Sequence, residues 1–309
     1  MKHSLKHCGI LILTILMGLD TMAQNELPES DFFSSVRANQ TDSYVTFLQG
    51  IGNLEPLVFE AMVAPTFLLR TNSSAQYGAT ISTAIRLRMY AEESVPVRSP
   101  SYMPNITFYY NLPNFYPGND GSNYVFLLLG HHSNGQDGDF FLEDGSYNTK
   151  TGNFSTNYME LGLFFNQKIV PFSNTSEYFK IALEWHPKID LSPGLEGRYG
   201  FLRLHNSLNI NRFTIGRVKS IFKNVNRIYN DVPRVQTSIE TTWIFGDRSG
   251  AKAFDFKERF NLNLKIAYRP QVLKDVSFFA RFYTGEDYYN MFFYRRINIL
   301  QIGLQAFAF

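Results

Sequence analysis

In the run GHHSNGQDGDFF, Gly130 to Phe141, an imidazole and a hydroxyl stand two residues apart, at His131 and Ser133. A serine hydroxyl becomes a useful nucleophile when a neighbouring imidazole takes its proton. The imidazole in turn needs a third group to hold its tautomer and orientation, and asparagine can serve. Asn157, in the later run STNYMELGLFF, is a candidate for that part. Read alone, H-H-S-N-G fits a polar strand end with an Asn-Gly turn just as well. The element that carries it has to decide.

That element belongs to a chain of alternating segments. In FNLNLKIAY, residues 260 to 268, Phe260, Leu262, Leu264, Ile266 and Tyr268 fall on one side, and Asn261, Asn263, Lys265 and Ala267 on the other. Successive strand side chains point to opposite faces, so such a segment is a strand with one apolar and one polar surface. About twelve segments of this kind run from 43–49 to 296–309, many of ten residues or more, a length that suits tilted membrane strands. Their polar faces carry Arg86, Arg88, Glu160, Glu184, Arg203, Glu240, Lys265 and Arg281. These would cost several kcal/mol each against lipid and are at home inside a barrel. The composition agrees: 16% of residues are aromatic, with 29 Phe and 18 Tyr, as interface girdles require. The expected fold is all-β, a transmembrane antiparallel β-barrel of about 12 strands.

The chain opens with Lys2, His3, Lys6 and His7, an apolar run from Cys8 to Leu19, and small residues before Gln24. This predicts a signal peptide over 1–23, an N-terminal periplasmic arm over 24–42 and the barrel over 43–309. Cys8 is the only cysteine, so no disulfide, thiolate nucleophile or zinc-cysteine site is expected beyond the leader. A net charge of +2 points to no polyanionic partner, and no nucleic-acid role is expected. Segment 213–233 fits the alternation poorly and reads as a longer turn.

In the strand of Asn157, Met159, Leu161, Leu163 and Phe165 set the outward register and Glu160 points inward. Asn157 therefore faces out. In the preceding strand Val125, Leu127, Leu129, His131 and Ser133 share one register, but Phe126, Leu128, Gly130 and His132 are almost as apolar, so both phases stay open. With His131 and Ser133 outward, they sit beside Asn157 on an adjacent antiparallel strand, where the substrate met is a lipid ester.

H-x-S-N-G at 131–135, EESVPVRSPSYMP at 92–104 and S-T-N at 155–157 resemble, in order, motifs of the outer-membrane phospholipase A family. The ending FYTGEDYY…RRINILQIGLQAF also resembles that family's last two strands. The resemblance implies a twelve-stranded barrel in the outer membrane, with Ser133 as nucleophile, His131 as general base and acid, and Asn157 as the orienting residue. It further implies that the Gly135 amide stabilises the oxyanion together with a calcium-bound water. Calcium (Ca2+) lies at a homodimer interface in this family, with Ser94 of one subunit and the Gln136 carbonyl of the other among its ligands, and the substrates are membrane phospholipids. The sequence departs from the family before Asn157. It reads N-F-S-T-N, so the calcium hydroxyl position falls on Asn153, with Ser155 two residues on, and the loop after Ser133 is longer. That loop holds Asp137, Asp139, Glu143, Asp144 and Asn148 as further oxygen donors, although an ordinary solvated loop would carry the same acids. His186 and His205 fall on inward registers and are expected to be structural. Two alternatives remain on sequence grounds: a lipid A deacylase with an acidic third member, and a non-enzymatic porin or scaffold.

Overall fold

The computed structural model describes residues 31–72, 74–94, 96–112, 122–166, 175–212, 234–270, 272–273 and 275–306. The expected leader, the 213–233 turn and Phe309 lie outside them. The described chain is a closed twelve-stranded antiparallel barrel. Its strands are β1 (Ser43–Gly52), β2 (Leu57–Val63), β3 (Thr66–Leu69), β4 (Tyr77–Tyr90), β5 (Ser101–Leu112), β6 (Asn123–Ser133), β7 (Ser155–Asn166), β8 (Thr175–Trp185), β9 (Leu202–Arg212), β10 (Val235–Phe245), β11 (Phe260–Tyr268), β12 (Val276–Glu286) and β13 (Arg296–Ala306). The segments β2 and β3 fill one wall position. Both pair with β4, β2 also pairs with β1, and the break between them falls at Ala64 and Pro65, where proline has no N–H to give the ladder. Pairing of β1 with β13 and with β2 closes the ring.

The period-2 pattern is realised as two surfaces. Leu161, Leu183, Ile266, Phe278 and Ile302 point outward and are exposed, with counterparts on most strands. An apolar belt on this scale is far more than a water-soluble monomer leaves uncovered. The opposite positions are buried and polar. Glu60, wholly buried, bonds the Arg88 guanidinium at 2.7 Å and Arg281 at 3.1 Å, and Arg88 reaches Asp287 at 2.8 Å. Among the described residues no helix is long and apolar enough to cross a membrane.

Within 24–42 lies a helix, α1 (Asp31–Ala38), which occupies the lumen at the end of the barrel where β1 begins. Its Phe32, Phe33 and Val36 are buried against Tyr109, Tyr124, Phe126, Phe164 and Ala182 on the inner wall of β5–β8. Phe32 meets Tyr124 edge-on at 6.0 Å, and Gln40, just past the helix, donates to the Tyr109 hydroxyl at 3.0 Å. This helix explains why β6 is apolar on both faces. Its outward side joins the belt, and its inward Tyr124 and Phe126 cover α1. A second helix, α2 (Phe256–Arg259), caps the loop between β10 and β11, where the Asp255 carboxylate accepts from the Glu258 N–H at 3.2 Å. At the opposite end from α1 the lumen closes on a second apolar cluster, Phe154, Leu195, Tyr199, Met291 and Phe293.

Candidate active site

The ladder between β6 and β7 sets Leu127 opposite Leu161, Leu129 opposite Met159, His131 opposite Asn157 and Ser133 opposite Ser155. Since Leu129, Met159 and Leu161 are exposed on the outer wall, parity places His131, Ser133 and Asn157 on that wall too. His132 takes the inward position, edge-on to Phe154 at 4.8 Å. Of the two open phases of β6, the structure adopts the one that pairs His131 with Ser133.

His131 Nδ1 and Asn157 Oδ1 are 2.8 Å apart. Asn157 Nδ2 donates to the Ile189 carbonyl at 3.0 Å. A carbonyl only accepts, so the amide must turn its NH2 toward Ile189 and its oxygen toward His131. That oxygen is also acceptor-only, so the proton of the neutral imidazole resides on Nδ1, and Nε2 keeps a lone pair for Ser133. Ser133 Oγ makes no hydrogen bond among the described residues. His131 and Ser133 share a face at i and i+2, and no hydrogen bond joins the two side chains.

Across β5, Ser133 pairs with Tyr102, and Asn105 pairs with Gly130, so Pro104 falls opposite His131. The Tyr-x-Pro segment therefore flanks the His-x-Ser segment on the same wall. Immediately beyond Ser133 the chain turns at Gly135, whose φ is +65°, a conformation that favours glycine. The exposed Gly135 amide donates to no group among the described residues. What fixes that turn is Asn134, only 2% exposed. Its Nδ2 donates to the Gly152 carbonyl at 2.8 Å, and its Oδ1 accepts the N–H groups of Phe154 at 3.0 Å and Gln136 at 3.3 Å. The side chain thus ties the end of β6 to the start of β7. Sequence reading saw the Asn-Gly turn but not this clamp, and it missed the Ile189 carbonyl altogether.

The oxygens assigned to calcium by resemblance fare unevenly. Ser94 is exposed in the loop between β4 and β5, which Arg98 pins through a two-pronged bond to Glu92 at 2.7 and 2.9 Å. Gln136 follows the Asn134 turn. Asn153 Oδ1 accepts from the Ser192 hydroxyl at 3.1 Å, and the Ser155 hydroxyl donates to the Asp190 carbonyl at 3.4 Å. All four are hard oxygen donors of the kind calcium takes, so the set fits the ion in chemical type, with two members also engaged by the loop after β8. Among the described residues, no three of the acidic or histidine side chains gather as a metal group, the acids of 137–144 included. Asp144 instead closes a local turn onto Ser146, whose N–H and hydroxyl hold its carboxylate below the usual range.

Glu160 faces the lumen, where Lys180 reaches it at 3.3 Å, and so takes no part at Ser133. His186 and His205 are also inward. They bracket Glu184 at 2.7 and 3.3 Å, and each spends its other ring nitrogen on a threonine, Thr156 and Thr242, both at 2.9 Å.

No family model and no curated protein matches the chain. Its structure is similar to solved outer membrane phospholipases. Against the Escherichia coli outer membrane phospholipase A the TM-score is 0.56 at 13% identity, over 86% of this chain and 96% of that one. An active-site mutant of the same protein gives 0.55 at 12%, over 94% of both chains. The Salmonella typhi outer membrane phospholipase, a dimer with bound calcium, gives 0.56 at 11%, over 91% of this chain and 99% of that one. At these identities the likeness establishes a shared barrel fold.

Proposed function

We propose that the chain is a calcium-dependent phospholipase A of the outer membrane, which hydrolyses acyl esters of glycerophospholipids at His131, Ser133 and Asn157. The observation that carries this reading is the 2.8 Å His131–Asn157 bond on an outward register, inside an apolar belt. A relay in that place meets lipid esters and no soluble substrate. Ser133 Oγ attacks the acyl carbonyl carbon while His131 Nε2 takes its proton, and Asn157 Oδ1 steadies the imidazolium through Nδ1–H. The Gly135 N–H faces the oxyanion, a contribution of about 3 kcal/mol for one preorganised donor. Collapse expels the lysophospholipid alkoxide, which takes the proton back from His131. Water, deprotonated by the same imidazole, then cleaves the acyl-serine ester. Calcium, held by the Gln136 carbonyl, Asn153 and Ser155 with Ser94 of the other subunit of a homodimer, would supply a polarised water at the oxyanion.

The inward Glu160 supports the phospholipase reading over lipid A deacylation, whose third group is acidic. The test is fatty-acid release from phosphatidylethanolamine by the purified protein in detergent with calcium, with Ser133→Ala abolishing release. Release from lipid A alone would point to the deacylase, and silence toward both to a non-enzymatic barrel.

A further inference from the structure

We propose that Asp190 is a positioning residue for the outer-wall relay. Its left-handed backbone aims the Ile189 carbonyl at Asn157 and so selects which end of the Asn157 amide meets His131. The inference rests on the relay described above and extends it to a loop outside the three residues. Asp190 has φ +56°, a region that non-glycine residues seldom enter; aspartate enters it more readily than most, and β-branched residues least of all. The Ile189 side chain is 67% exposed. What this residue lends to the site is its carbonyl.

The strained segment is clamped onto β7, two residues from Asn157. Ser192 Oγ accepts the Ser155 N–H at 2.8 Å and donates to Asn153 Oδ1 at 3.1 Å, and the Ser192 N–H donates to the Ser155 carbonyl at 2.9 Å. Just beyond, Leu195 is buried in the cluster of Phe154 and Phe293. On the other side the His186 N–H donates to the Phe201 carbonyl at 2.8 Å, so with both flanks held the turn at 190 sets the direction of the carbonyl before it. The choice matters because an amide is nearly symmetric in shape. Reversed, Asn157 would offer NH2 to Nδ1, the imidazole proton would move to Nε2, and His131 could no longer accept from Ser133.

The experiment is a series at this backbone position: Asp190→Gly, Asp190→Asn, Asp190→Ala and Asp190→Val, each checked for folding by heat-modifiable gel migration. Two quantities are read on the full-length protein with calcium: kcat and KM on phosphatidylethanolamine, and the 15N signals of the His131 ring, assigned by their loss in His131→Ala. The Gly and Asn variants should stay within about threefold of the parent, with Ala lower. Val should lose about 10- to 100-fold in kcat, the range known for loss of the partner that orients a metal-bound histidine, with KM unchanged. The Nδ1–H tautomer should fade in the same order. If Val does not fold, the Ala variant carries the same ordering at smaller amplitude. Parental kcat and tautomer in folded Ala and Val variants would overturn the proposal, as would Gly damaging the site as much as Val, which would assign the role to the carboxylate. A tautomer that follows the series in a protein without ester hydrolysis would sink the phospholipase reading and leave the positioning role standing.

Discussion

On the outer wall, His131, Ser133 and Asn157 are partly exposed, include no carboxylate and are joined by a single side-chain bond of 2.8 Å. In the lumen, Glu60, Arg88 and Asp287 are charged and wholly buried, and Arg281 and Arg295 tie into them at 3.1 and 2.8 Å. By charge and burial the lumen cluster has the stronger claim to chemistry. Its bonding says otherwise. Every carboxylate there is spent on a guanidinium or a phenol, and His186 has both ring nitrogens hydrogen-bonded, to Glu184 and to Thr156. By contrast, His131 Nε2, the Ser133 hydroxyl and the Gly135 N–H have no hydrogen-bond partner among the described residues. The ion pairs of the lumen brace the barrel wall from within, and the outer-wall cluster lies beside the apolar belt.

Substitution should separate the two regions cleanly. His131→Ala is expected to lower kcat by on the order of 10³-fold or more, as loss of a relay member does, while the unfolding midpoint stays near that of the parent. In the lumen the effects should exchange. Glu60→Ala leaves the Arg88 and Arg281 charges short of a partner, a change that costs about 3–5 kcal/mol of stability, and the molecules that fold should keep parental kcat. Urea unfolding followed by gel migration, with turnover per folded molecule, checks both. A Glu60→Ala protein of parental stability and lost activity would erase the distinction.

Next in size is the helix in the lumen. Phe33→Ala empties a fully buried ring site against Gly78 and the inner wall, and should cost about 3 kcal/mol without changing KM. If KM rises instead, α1 and the outer wall are coupled through β5–β8.

How far the sequence reached follows from what each feature leaves in it. The wall strands were legible because alternation is written residue by residue, and Asn157 because parity with Met159 and Leu161 fixes its face. The phase of β6 was not legible, since Tyr124 and Phe126 point at α1 and erase the contrast between its faces. The helix itself was missed because DFFSSVRA is short and its apolar side is read against a curved inner wall. The Ile189 contribution is a backbone carbonyl, which every residue has, so no side-chain pattern could announce it. The Asn134 clamp was half visible. Its turn is written in Asn-Gly, but its partners at Gly152 and Phe154 are brought close only by the β6–β7 hairpin.

The smallest expected effect falls on the residue between the two members of the relay. His132 is one position from both His131 and Ser133, yet the pleat turns it into the lumen, where its ring lies against Phe154. His132→Asn keeps a polar group there and removes part of that packing, so a stability loss of about 1 kcal/mol is expected, with kcat within about threefold of the parent. The comparison with His131→Ala is the sharpest available, because the two imidazoles are adjacent in sequence and differ in the face they take. Equal loss of turnover in both variants would mean that the inward face of β6 takes part in the chemistry. The division between an ion-paired interior and an open outer site would then fail at the strand that defines it.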